Sequence, residues 1–250
     1  MKILRNIVTA FIMLSTVVYA KEVQTVFSYS TPPFVFKDGS GIVMELMEKS
    51  LAYKSHTVKP VFVNIGRGLE MYKAGYVDAS SLLNKSSGIK TNYSEYFMQY
   101  HNAIFALKKN NFKIEKLDDL SSYYFSSFQN ATDYLGEEFA KVANKAKEKY
   151  SEIADQKQQV YKLLMGRTEL TIMDKSIFEY YKNKLISEGK ISKDIKIQKF
   201  ELFKPSKFRA AFRDKQIRDD FNAGLKKLKE SGKYDEIYEK YSNLYFKIKR

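Results

Sequence analysis

The 250-residue chain contains no cysteine and no tryptophan, and only two histidines, four prolines and eleven glycines. Without cysteine there is no disulfide, no thiol nucleophile, no thiolate metal site and no lipid-modified cysteine to tether the chain to a membrane. His56 and His101 stand alone, outside the His-x-x-x-His and His-Glu spacings of metal sites and beside no nucleophile motif. A glycine-rich phosphate loop is missing, and the acid pairs Asp118-Asp119 and Glu137-Glu138 read as solvated surface. These absences set the expectation of a chain that is not an enzyme and needs no metal or cofactor.

Long hydrophobic runs are also scarce. Residues 7–18 are apolar, but about 12 residues fall short of the ~20 that cross a bilayer. Lys2 and Arg5 precede this run, and Val18-Tyr19-Ala20 puts small residues at the two positions a signal peptidase reads. Residues 1–20 therefore read as a cleavable signal peptide. The remainder, 21–250, is expected to be a free periplasmic protein.

Charge is lopsided, with 43 basic and 29 acidic residues and a net charge of +14. Nucleic acid is the first partner such an excess suggests. Its distribution argues against that, because lysines alternate with glutamates along helical stretches, as in Lys145, Lys147, Glu148 and Lys149, the pattern of solvated helix faces. The reading is no nucleic-acid role, with the charge serving solubility.

What is present is a repeated unit. LEMYKAGYVDASSL (69–82) and VYKLLMGRTELTIM (160–173) each run helix, glycine, two residues, an acid and an apolar strand. Gly75 and Gly166 sit where a helix needs a left-handed residue past its end, and Asp78 and Glu169 open the strands. Two matched units point to two similar α/β halves.

The rest of the chain fits. Strands are expected over 23–29 and 57–63, with helices over 42–51 and from Leu69, a βαβα series that implies parallel strands with helices outside. From 84 to 100 the pattern breaks into polar and aromatic residues, and 103–107 reads as a strand leaving the first half. A second series follows, with strands at 123–128 and 169–173, helices across 135–149, 155–165 and 177–186, and a return at 195–200. Two C-terminal helices, split at Ser231-Gly232, complete the chain.

Candidate site residues lie at strand ends. Arg67, between Gly66 and Gly68 at a helix start, suits an anion or serves as a structural arginine bonding nearby carbonyls. Asn130 and Thr132 present an amide and a hydroxyl to a ligand or cap the helix near Asp133. Asp174 ends a parallel strand, where open α/β sheets bind ligands, and precedes a helix that it equally well caps. Tyr29, Phe34 and Tyr96 offer flat pocket walls or core packing.

The ordered motifs YSTPPFVFKDGSG, NIGRGLEMYKAGYVDAS, YSEYF, FQNATDYLGEEF, GRTELTIMD and FNAGLKKLKESGKYDEIYEKYS span essentially all of 24–245. Together they resemble bacterial extracellular solute-binding proteins of family 3, periplasmic components associated with polar amino-acid uptake. The resemblance implies a two-lobed periplasmic-binding-protein-like (type II) α/β fold with a two-strand hinge. Residues 21–107 plus 199–250 would form a discontinuous first lobe and 108–198 the second. A small polar solute, amino-acid-like or related, would be captured in the cleft for an inner-membrane ABC permease, with the chain acting as a monomer. A ligand-sensing partner of a membrane receptor, or a cleft lyase or hydrolase, stays open on the same fold.

The resemblance also assigns roles. Asp174 falls where the family holds the ligand's amino group. Members that bind amino acids usually carry an arginine six residues before an aromatic-Ser pair. Counting back from Tyr93-Ser94 gives Ser87, and 84–91 offers only Lys85 and Lys90 as cations. An ammonium does not reproduce a bidentate guanidinium, so the family's usual carboxylate grip is absent from its expected place.

Overall fold

The computed structural model describes residues 20–28, 31–81, 83 and 88–246, with side chains through 241. In the first half, β1 (Glu22–Ser28), α1 (Ile42–Ala52), β2 (Thr57–Val63), α2 (Ile65–Ala74) and β3 (Ala79–Ser80) alternate as the apolar periodicity requires. β1 pairs in parallel with β2 and with β3. β4 (Asn92–Tyr100) and β10 (Ser206–Phe212) complete a five-stranded sheet of order β2-β1-β3-β10-β4, β10 running antiparallel to both neighbours.

The second half repeats the plan. β6 (Phe125–Phe128), the helices α3 (Ala131–Tyr134) and α4 (Glu137–Ala146), β7 (Tyr150–Ile153), α5 (Gln156–Leu164) and β8 (Leu170–Asp174) follow in chain order. With β5 (Asn102–Leu107) and β9 (Ile197–Phe200) they give the order β7-β6-β8-β5-β9. The trio β7-β6-β8 is parallel, like β2-β1-β3, and β5 runs antiparallel to both β8 and β9. α6 (Lys175–Ser187) follows β8, and α7 (Lys215–Glu230) and α8 (Lys233–Phe246) close the chain on the first half.

The chain is thus a two-lobed α/β protein of type II plan, with two crossings between the sheets. The sheets change over at His101, between β4 and β5, and within 201–205, between β9 and β10. Sheet pairing therefore places 102–107 and 197–200 in the second sheet, whereas the sequence reading sets the lobe limits at 107/108 and 198/199.

Both repeated units serve the same structural purpose. Gly75 and Gly166 adopt left-handed φ values of 88° and 70° past the ends of α2 and α5, a conformation that costs glycine little. Asp78 then accepts the backbone N–H of Gln24 in β1 at 3.0 Å, and Glu169 accepts that of Tyr124, just before β6, at 2.7 Å. Each acid ties the new strand to the start of its parallel neighbour.

Apolar side chains fill the space between helices and sheets. In the first half Phe27, Leu46, Met47, Phe97, Phe212 and Phe221 are fully buried, and in the second Phe105, Phe125, Phe139 and Phe178. Phe105 and Phe178 stack at 3.9 Å between centroids, which pins α6 onto β5. Three strands escaped the sequence reading: β4, β7 and β10.

Candidate functional site

The two crossings build the floor of a pocket between the halves. Across the β4–β10 ladder Tyr100 faces Ser206, and across the β5–β8 ladder Asn102 faces Asp174. All four line the pocket, and the Asn102 amide donates to Ser206 Oγ at 3.4 Å, linking one crossing to the other. Ser28, Thr31 and Ile65 close the pocket from the first half, and Phe128, Tyr134, Gln156 and Ile177 from the second, with Phe208 on β10. The space within its walls, counted with its open mouth, is about 530 Å³. An adjoining open cavity shares Ser28, Thr31, Ile65 and Gln156 and continues to Lys37, Asn64, Gln129 and Asp155. The halves come close along this line, since a Cβ at Gly66 would stand 3.4 Å from Gln129 Nε2.

Asp174 is the pocket's acid and is 3% exposed. Its Oδ1 accepts the backbone N–H groups of Ser176 (2.8 Å) and Ile177 (3.2 Å), capping α6, and its Oδ2 accepts that of His101 at 2.7 Å. Burial pushes its carboxyl up to about 6 despite these three donors, which pull the other way. Tyr100 beside it is driven far above its ordinary value, first by burial and then by the Asp174 charge, while Thr31 hydrogen-bonds its hydroxyl. Burial likewise pushes Tyr134 up to about 12.

The remaining sequence candidates take different places. Phe34 is buried in the core behind the pocket wall, its ring edge-on to Tyr100 at 4.5 Å, and does not itself line the pocket. The Arg67 side chain is 60% exposed and pairs with Glu70 at 3.6 Å, while its backbone N–H is taken by the N-cap Asn64 at 2.8 Å. Arg67 does not line the pocket either. Asn130 and Thr132 follow β6, where the sequence places them, but their backbone N–H groups and the Thr132 hydroxyl are occupied. Glu152 on β7 accepts the Asn130 N–H at 2.6 Å and both the N–H and the hydroxyl of Thr132 at 3.3 Å. Tyr96 is exposed, with the Arg209 guanidinium over its ring at 4.0 Å. Tyr29 and Ser87 lie outside the described residues.

Several pocket residues were not legible in sequence. Tyr100, Ser206 and Phe208 belong to β4 and β10, and Gln156 follows β7, all strands the pattern did not show. Asn102 was findable, because a polar residue opening an apolar strand beside a crossing is out of place in a core. Among the described residues no group of three His, Asp or Glu side chains is placed to hold a metal ion. No helix among them is long and apolar enough to cross a membrane.

Two α/β lobes, two crossings and a pocket walled from both sides define a bilobal binding-protein fold. The family model of bacterial extracellular solute-binding proteins, family 3, matches residues 23–244, and the chain belongs to that family. Comparison with curated proteins finds no match. Among solved structures, an ancestral arginine-binding protein bound to arginine is similar at a TM-score of 0.71 and 20% identity, over 90% of this chain and 99% of that one. A substrate-binding protein of an ABC uptake transporter from Streptococcus pneumoniae, with bound histidine, is similar at 0.70 and 18% identity, over 90% and 92%. A histidine kinase sensor domain with similarity to periplasmic binding proteins is similar at 0.69 and 17% identity, over 88% and 95%.

Proposed function

We propose that this chain is the periplasmic receptor of an ABC importer, exported through residues 1–20 and working as a monomer without a cofactor. It captures a small polar solute in the pocket between its lobes. The observation that carries the reading is the pocket floor, where Tyr100 with Ser206 and Asn102 with Asp174 bring the two crossings together around one buried carboxylate. A solute touching both lobes at that floor favours the closed arrangement by its differential affinity, and the permease reads the closed form. Similarity to proteins solved with arginine and histidine supports a small nitrogen-bearing solute. In this reading Asp174 is the main grip, Tyr100, Tyr134 and Phe128 shape the walls, and Phe34 supports Tyr100 from behind.

The test is a thermal-shift screen of amino acids, amines, organic acids and short peptides, followed by titration calorimetry on each hit. A true ligand raises the melting temperature with concentration by mass action. Asp174→Ala should lower its affinity at least about tenfold, a loss of ~1.4 kcal/mol. If no compound stabilises the protein, or Asp174→Ala binds as before, the reading is wrong. The sensor domain among the similar structures favours a second reading, a ligand-sensing partner of a membrane receptor. Uptake of the identified ligand that depends on this chain separates importer from sensor.

A further inference from the structure

The pocket holds a buried hydrogen-bond acceptor that no residue fills. Gln156, the first residue of α5, is 6% exposed and lines both the pocket and the adjoining cavity. Its side-chain carbonyl Oε1 is buried without a hydrogen-bond partner. A buried unpaired acceptor is costly, and its natural remedy is a donor from a ligand. The Asp174 carboxylate is a second acceptor. It offers about four lone-pair sites, of which the backbone of His101, Ser176 and Ile177 fills three.

No Lys, Arg or His is among the described residues that line the pocket. The amides of Asn130 and Thr132 at the end of β6, the obvious receptors for an anionic group, hold the carboxylate of Glu152. The amide of Asn102 is directed at Ser206. The walls are apolar, from Ile65, Phe128, Ile177 and Phe208.

Resting on the reading of this pocket as the ligand site, we infer that Gln156 is a specificity-determining residue. Its carbonyl acts with the Asp174 carboxylate to select a cationic amine with at least two N–H donors, an apolar body and no carboxylate. An α-amino acid brings the same ammonium, but its carboxylate would be desolvated beside the Asp174 carboxylate, with no cation among the described residues that line the pocket to balance it. A free acid brings only the unwelcome group.

Two matched probe series test this on the purified protein by thermal shift and calorimetry: butylamine, norvaline and valerate, and phenethylamine, phenylalanine and 3-phenylpropionate. In at least one series the amine should bind, the amino acid at least about tenfold more weakly, and the acid not at all. Gln156→Leu should weaken the amine about fivefold by removing one acceptor, while Gln156→Glu, which keeps the acceptor and adds charge, should tighten it. If Gln156→Leu does not fold, Gln156→Glu carries the test alone. The inference is overturned if an amino acid or acid binds as tightly as its amine, if neither substitution changes the amine's affinity, or if no amine binds. Binding of some other solute in the broader screen with no amine binding removes this inference and leaves the receptor reading standing. No binding by anything removes both.

Discussion

Asp174 Oδ2 accepts the backbone N–H of His101 at 2.7 Å, so the pocket's one buried carboxylate is tied to the residue at which the chain passes from the first sheet to the second. Its other oxygen caps α6. A ligand that changes the charge or position of Asp174 therefore acts on a crossing and a helix of the second lobe together. The titratable groups around it are Tyr100 on β4, His101 at the crossing and Lys175 on its own helix.

Ligand affinity should depend on pH through this group. With the carboxyl pushed up to about 6, a growing fraction is protonated below that pH and no longer attracts an ammonium. The dissociation constant of a cationic ligand should rise toward about tenfold per pH unit below pH ~6 and level off above it. Asp174→Asn should bind weakly at every pH, with that slope gone. Calorimetry between pH 4.5 and 8 on both proteins measures it, and equal slopes would exclude Asp174 as the titrating group.

Stability of the unliganded protein should move the opposite way. A carboxyl whose pKa is raised on folding binds its proton more tightly in the native state, so its contribution is present at low pH and lost as pH rises from ~4 to ~6. A shift of about two units corresponds to about 3 kcal/mol. His101 opposes this: burial, then Lys175, holds it below its ordinary value, and its neutral form favours folding only above the imidazole range. The quantity to measure is the difference between wild type and Asp174→Asn in urea unfolding at pH 4, 5, 6 and 7. Wild type should lose ground relative to the variant across that range.

The halves were legible because their organising residues carry strong local signals. Gly75 and Gly166 mark helix ends that demand positive φ, and Asp78 and Glu169 mark where strands meet their parallel neighbours. The missed strands lack such signals. β4 and β10 pair through register shifts around Arg209, which scramble the alternation of period two, and β7 is a four-residue edge strand with no buried position. Those omissions hid four of the twelve residues that line the pocket, since Tyr100, Ser206 and Phe208 lie on two of these strands and Gln156 follows the third. Asp174 was readable because a strand-ending acid before a helix is a local pattern. Arg67 followed the same logic, yet its side chain is exposed rather than in the pocket, and Glu70 pairs with the guanidinium.

Glu152 should prove a local keystone. Besides the donors of Asn130 and Thr132, it accepts the Tyr150 hydroxyl at 2.8 Å, and that hydroxyl lies 2.6 Å from Ser127 Oγ. Asn130 sits at a φ of 62°, unusual for a residue with a side chain, and its bond to Glu152 helps hold it there. Glu152→Gln keeps one acceptor oxygen and should cost about 1 kcal/mol, and Glu152→Ala, which frees every donor, about 2 kcal/mol. Urea unfolding gives both values. Equal midpoints for wild type and Glu152→Ala would show that water replaces the carboxylate without loss.

Gly224 on α7 should tolerate no side chain. A Cβ there would stand 1.9 Å from the backbone carbonyl oxygen of Ser50 on α1 and 2.7 Å from its carbon, and backbone cannot rotate away as a side chain would. Alanine gains about 1 kcal/mol of helix propensity over glycine. Against that, the two helices must separate along a seam where Leu46, Met47, Phe221 and Leu225 are buried, and forced overpacking of this kind costs about 3 kcal/mol or more. Gly224→Ala should therefore lower stability by about 2 kcal/mol net. Gly232 is the control, because a Cβ there meets nothing within 4 Å, and alanine costs only the left-handed φ of 76°, about 1 kcal/mol. Unfolding midpoints of the two variants decide the matter. If Gly224→Ala is as stable as wild type, α1 and α7 are not packed backbone to backbone, and the first lobe's core is looser than its burial implies.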